Sequence, residues 1–222
     1  MSIFCFDLDG TIFDSLDGIN ESLNYSLVKN SFSKVKKKIL STLIGPPLES
    51  YLEKLISINL SKESKDKILN DFRLHHNSSG YKSYKTYPEV KAVLNKIKNY
   101  SNNKVLAVTN KPYQVSKKAL IYFGLYKYFD DIFTADGNTD NCYKWSKEIN
   151  RNKSNYLNFL DANNVGNKFY IGDTESDYLA TLGNSFHFIY AKYGYGKSFK
   201  LSEDSFALES FDDLKNLFNG EK

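Results

Sequence analysis

Short apolar runs that alternate with helix-patterned segments constrain this chain more than any other feature. Ile3-Phe4-Cys5-Phe6, Lys104-Val105-Leu106-Ala107-Val108, Lys168-Phe169-Tyr170-Ile171 and Phe186 to Tyr190 are the clearest, with Ile132-Phe133-Thr134 as a further candidate. Runs of this length, rich in aromatic and branched residues and closed by turn formers, read as buried strands. Between them lie segments with helical spacing: Glu89 to Ile97, Tyr113 to Phe123 ahead of Gly124, a helix opening at Ser154, Glu175 to Leu182 ahead of Gly183, and Phe211 to Phe218. Such alternation implies an α/β protein with a parallel sheet covered by helices on both faces.

One segment breaks the alternation. From Leu16 to about Lys85 the pattern is helical throughout, with apolar residues at Ile19, Leu23 and Leu27, at Leu48, Leu52 and Leu55, and a helix from Ser61 towards His75. Ser61 has the residue type of an N-cap. This stretch is expected to be an insertion, residues 16–85, into a core made of residues 1–15 and 86–222. His75 and His76 read as surface residues, and Tyr81, Tyr84 and Tyr87 as packing for the return linker.

The polar residues of interest fall at strand ends. Asp7 and Asp9 follow the first strand two positions apart, and residues i and i+2 of a strand share a side. Two anions so close repel unless a cation or a shared proton compensates, and a divalent metal is the simplest partner. Gly10 and Thr11 then offer a turn with backbone N–H groups and a hydroxyl suited to an anion such as phosphate. Thr109 and Asn110 close the second run, and Asp173 with Asp177 follows the Lys168 run. Each cluster alone would serve as a helix cap or a turn. A parallel sheet, however, brings its strand ends together whatever their sequence separation, and ligands bind there.

Phe6-Asp7-Leu8-Asp9-Gly10-Thr11 resembles the first motif of the haloacid dehalogenase superfamily. Val108-Thr109-Asn110-Lys111-Pro112 is similar to its second motif in the form of phosphoglycolate phosphatase-like members. Ile171-Gly172-Asp173-Thr174-Glu175-Ser176-Asp177 is similar to its fourth. The third motif is a single lysine, for which Lys144, Lys147 and Lys153 compete; Lys153-Ser154, opening a helix directly, is the choice. The resemblance spans almost the whole chain and implies a Rossmann-like core with a helical cap. It also implies a chemistry: Asp7 as nucleophile forming an aspartyl-phosphate, and Asp9 as acid and then base. Mg²⁺ would be held by Asp7, the Asp9 carbonyl and Asp173. Lys153, Thr109, and the Asn110 and Gly10 amides would bind phosphoryl oxygens, with Asp177 supporting Lys153 or metal-bound water.

Family members that cleave carbon–halogen or carbon–phosphorus bonds lack an acid at the Asp9 position, so its presence favours phosphate esters. Mutases of the family carry a histidine about a dozen residues after the nucleophile, where Ile19 and Asn20 stand here. The reading is thus a phosphomonoesterase acting on a small phosphorylated metabolite. A sugar phosphomutase or other phosphotransferase, and a binding protein with a vestigial site, are the rivals. The net charge of +4 and the Lys34 to Lys38 run fit a solvated face, and no base-reading motif argues for nucleic acid. Cys5 and Cys142 form no metal or disulfide framework, and no apolar run approaches a membrane span. A cytoplasmic location is the expectation.

Overall fold

The computed structural model describes residues 1–100, 102–136, 152–197, 199–201 and 206–218. In chain order the elements are β1 (Ile3–Phe6), β2 (Phe13–Asp14), α1 (Leu16–Lys29), α2 (Lys37–Leu40), α3 (Leu48–Ile56), α4 (Lys62–Ser78), β3 (Lys85–Thr86), α5 (Val90–Asn99), β4 (Lys104–Thr109) and α6 (Tyr113–Tyr122). They continue with β5 (Asp131–Thr134), α7 (Lys153–Asn163), β6 (Lys168–Gly172), α8 (Glu175–Thr181), β7 (Phe186–Ala191) and β8 (Phe206–Leu208). The chain forms two compact units, Met1–Phe13 with Thr86–Lys222, and Asp14–Lys85.

The larger unit is built on a six-stranded sheet in the order β5-β4-β1-β6-β7-β8, and every neighbouring pair is parallel. All four residues of β1 are buried, as a central parallel strand requires. Side chains alternate across the strand: Ile3 and Cys5 pack with Tyr156, Leu157 and Leu160 of α7 and Ala180 of α8. On the opposite face Phe6 lies 5.9 Å from Phe211, centroid to centroid. Phe133 and Tyr156 stack at 4.1 Å and 9°. Burying each such large apolar side chain contributes roughly 1.5–3 kcal/mol, so β1 is anchored from both sides. This is the α/β doubly covered core expected from the alternation.

Residues 211–218 form a 3₁₀ helix rather than an α-helix; Phe211 and Leu214 are both buried, and their spacing of three matches the 3₁₀ period. β8 follows β7 on the sheet edge and carried no strand signal, since two of its three residues are exposed.

The smaller unit is helical. Ile19, Leu23 and Leu27 of α1 share one core with Leu40, with Tyr51, Leu52 and Leu55 of α3, and with Ile68 and Leu69 of α4. α2 ends after about one turn, where the Ser41 and Thr42 hydroxyls donate to the Lys38 and Ile39 carbonyls and compete with helix continuation. α4 runs past His75 to Ser78. That extension corrects the surface reading of His76, which is only 5% exposed. Its ring bridges the Ser22 hydroxyl (3.0 Å) and the Tyr84 hydroxyl (2.6 Å) and stacks on Phe72. His75 is half-buried against Tyr25.

Candidate active site

Sheet register sets the site. Phe6 is level with Ala107 of β4 and Ile171 of β6. Asp7 therefore emerges between the ends of two flanking strands, and its N–H continues the ladder by donating to the Ile171 carbonyl at 2.9 Å. Thr109 ends β4, and Asp173 directly follows β6. All of these residues belong to the larger unit.

Asp7, Asp173 and Asp177 are buried and bring carboxylate oxygens within 4.8 Å of one another. Lys153, the first residue of α7, reaches into this group: its Nζ donates to Asp7 Oδ1 (3.0 Å) and Asp177 Oδ1 (2.5 Å). α7 is started locally by Asn152, whose side chain accepts from the Asn155 N–H. Asp177 is the most heavily bonded of the three. Its Oδ1 also accepts from the Tyr170 hydroxyl (3.0 Å), and its Oδ2 accepts from the Thr174 N–H (3.0 Å) and hydroxyl (2.6 Å) at the start of α8. Asp173 contrasts with it: Oδ2 accepts from backbone N–H groups, while Oδ1 is buried with no hydrogen-bond partner.

Asp9 stands apart from this cluster. Both of its carboxylate oxygens accept from Lys111 Nζ, at 3.0 and 2.7 Å, and the Lys111 side chain is almost completely buried. Thr109 is buried, and its hydroxyl oxygen accepts from the Lys111 N–H at 3.2 Å, which leaves the hydroxyl hydrogen to donate. Asn110 is exposed next to it. One expectation is corrected. The Gly10 N–H, expected to face phosphate, donates to the Phe13 carbonyl at 2.8 Å and closes the turn. Gly10 instead serves by lacking a side chain: at φ +85° a Cβ would lie 2.0 Å from Asp173 Oδ2. Lys144 and Lys147 lie outside the described residues.

Burial pushes the Asp7 carboxyl up to about 6; Lys153 partly offsets this, and Asp177 adds to it. Burial likewise raises Asp173 well above the usual carboxylate range, with repulsion from Asp177 and Asp7 adding to it. Burial also opposes ionisation of Asp177, yet the Lys153 ammonium and the Thr174 donors hold it below that range. Lys153 is itself held above the ordinary lysine value by Asp177 and Asp7, despite its burial. Three carboxylates facing one ammonium leave the cluster short of positive charge. A donor set of oxygens with one unpartnered buried oxygen fits a hard divalent cation. Asp7 and Asp173 are the side chains with oxygen to offer, since the bonds to Asp177 already occupy it.

A family model described as haloacid dehalogenase-like hydrolase matches residues 4–191, most of the chain. The chain belongs to the haloacid dehalogenase-like hydrolase family. Within it the chain is a hydrolase of the phosphatase type. A phosphoglycolate phosphatase of Aquifex aeolicus is 30% identical over 61% of this chain and 62% of its own length. A phosphoglycolate phosphatase of Vibrio parahaemolyticus is 24% identical over 96% of this chain and 94% of its own. A solved structure described as a predicted phosphatase from Clostridium acetobutylicum superposes with a TM-score of 0.77 at 27% identity, covering 98% of each chain. Lys153 lies beside Asp7 and Asp177, and Lys111 beside Asp9. What sequence reasoning missed is Lys111, which was quoted inside a motif without a role, and the Tyr193 to Gly196 turn that holds Asp173. The tyrosine-glycine alternation of that turn was the one visible signal.

Proposed function

We propose that this chain is a Mg²⁺-dependent phosphomonoesterase acting on a small phosphorylated metabolite through an aspartyl-phosphate on Asp7. The observation that carries the reading is the division of labour between the two acids. Asp7 sits among Asp173, Asp177 and Lys153, whereas Asp9 is held outside that group by Lys111. A nucleophile must meet phosphorus beside positive charge, while an acid/base must reach the leaving-group oxygen.

In the first displacement an Asp7 oxygen attacks phosphorus, and the phosphorus–oxygen bond to the leaving group breaks. Asp9 acts as the general acid that delivers a proton to the departing alkoxide. In the second, water attacks the phosphorus of the acyl phosphate and gives a proton to Asp9. Phosphate leaves, and the Asp7 carboxylate is restored. Lys153 and the Thr109 hydroxyl would donate to phosphoryl oxygens, where transition-state charge spreads. Asp177 keeps the Lys153 ammonium in place. A divalent cation held by Asp7, Asp173 and the Asp9 carbonyl would supply the positive charge that lets a carboxylate approach a phosphate dianion.

The helical unit, Asp14–Lys85, corresponds to the cap that family members use to present side chains to the leaving group. A cytoplasmic setting accompanies this reading, with Cys5 a buried free thiol and, among the described residues, no helix long and apolar enough to cross a membrane. The relatives' names make phosphoglycolate the first substrate to try. Phosphate release from p-nitrophenyl phosphate and phosphoglycolate, measured with Mg²⁺ and with EDTA, tests the proposal. Release that depends on the metal supports it. No release from any phosphate ester in a metabolite panel would overturn it.

A further inference from the structure

Asp173 is gripped by a segment that no family motif quoted above contains. After β7 the chain turns through Tyr193-Gly194-Tyr195-Gly196, and the Tyr195 and Gly196 N–H groups donate to Asp173 Oδ2 at 2.7 and 3.3 Å. The turn lies so close that a side chain on either glycine would collide with the acid. A Cβ on Gly194 would lie 2.3 Å from Asp173 Cβ and 2.4 Å from the Gly10 carbonyl oxygen, and one on Gly196 would lie 1.6 Å from the Asp173 carbonyl oxygen. The Tyr193 hydroxyl donates to the Thr11 carbonyl at 3.0 Å, which ties the turn to the loop that carries Asp9. Thr11 and Gly10 thus close the cradle from the opposite side.

We propose that the Tyr193 to Gly196 turn positions Asp173 for the cation by saturating Oδ2 with backbone donors and leaving Oδ1 as the one oxygen free to coordinate. The inference rests on the metal reading given above and adds residues to it. The physical reason is that a carboxylate free to rotate offers two equivalent oxygens and loses that freedom on binding. Here one oxygen is already committed, and the other is buried without a partner. Tyr193, Gly194 and Gly196 act through Asp173 and are positioning residues.

The test is Mn²⁺ titration of the EDTA-stripped full-length protein, read by electron paramagnetic resonance of the free ion, with the EDTA-state melting temperature measured alongside. Gly194→Ala is expected to weaken Mn²⁺ binding by about tenfold or more, the usual effect of losing a group that orients a metal ligand. Tyr193→Phe removes only the tether to Thr11. It is expected to weaken binding by a smaller factor while leaving the metal-free melting temperature unchanged, a separation that a purely structural role would not produce. If Gly194→Ala does not fold, Tyr193→Phe decides. Mn²⁺ affinity equal to wild type in the folded variants, or lost only in step with metal-free stability, would overturn the clamp alone. Failure of the wild type to bind Mn²⁺ would overturn the metal reading and the clamp with it.

Discussion

Asp7→Asn should stabilise the metal-free protein at neutral pH while removing its activity. Burial holds the Asp7 carboxyl at about 6 in the folded chain, against 3.8 for a free aspartate, after the attraction of Lys153 is included. Its ionisation is therefore more costly in the folded state than in the unfolded one. The folded state keeps the proton between those two values, so stability from this group is complete below about pH 4, declines from there, and is fully lost above about pH 6. At 1.36 kcal/mol per pH unit the gap is worth about 3 kcal/mol. Asparagine keeps the shape and an oxygen for Lys153 but brings an amide that needs its own acceptor, so a gain of about 1–3 kcal/mol is expected at pH 7.5 in EDTA. For a protein of this size that is about 2–4 °C in melting temperature per kcal/mol. Thermal or urea unfolding at pH 4 and pH 7.5 measures it. A gain that is equal at both pH values, or a variant less stable than wild type at pH 7.5, would refute the electrostatic argument.

The lysines invert that expectation. Lys153→Met leaves Asp7 and Asp177 buried without their shared ammonium, and removing one partner of a buried pair typically costs about 3–5 kcal/mol; a melting temperature near wild type in EDTA at pH 7.5 would contradict the geometry. Lys111→Met releases both Asp9 oxygens, and if the pair positions the acid/base, kcat should fall by about tenfold or more, a part of the roughly 10²–10⁴-fold that general acid–base catalysis supplies. An unchanged kcat in the steady-state assay would show the pair to be incidental.

Much of the core was legible because parallel strands advertise themselves as short apolar runs, and register then brings their ends together. Asp7, Thr109 and Asp173 needed no more than that. Lys153 was legible only through its resemblance to the family's third motif at a helix start, and its contacts with Asp7 and Asp177 span 146 and 24 residues. The Lys111–Asp9 pair spans 102 residues and has no periodic signature, so nothing local marks a lysine that will be buried. The Gly10 amide was misjudged for a related reason. A flexible turn offers its N–H groups on paper, but the Phe13 carbonyl three residues on takes this one. His76 was misread because its partners Ser22 and Tyr84 come from other segments of the helical unit, and a histidine pair near a helix end looks solvated until those segments close around it.

The central claim is that phosphorus passes through Asp7, and trapping that intermediate tests it most directly. Wild-type protein incubated with Mg²⁺ and a ³²P-labelled phosphomonoester, quenched in acid and digested, should carry an acid-stable, base-labile phosphoryl group on the peptide containing Asp7. Asp7→Asn should carry none and release no phosphate. Label on another residue, or phosphate release by Asp7→Asn at the wild-type rate, would contradict the account.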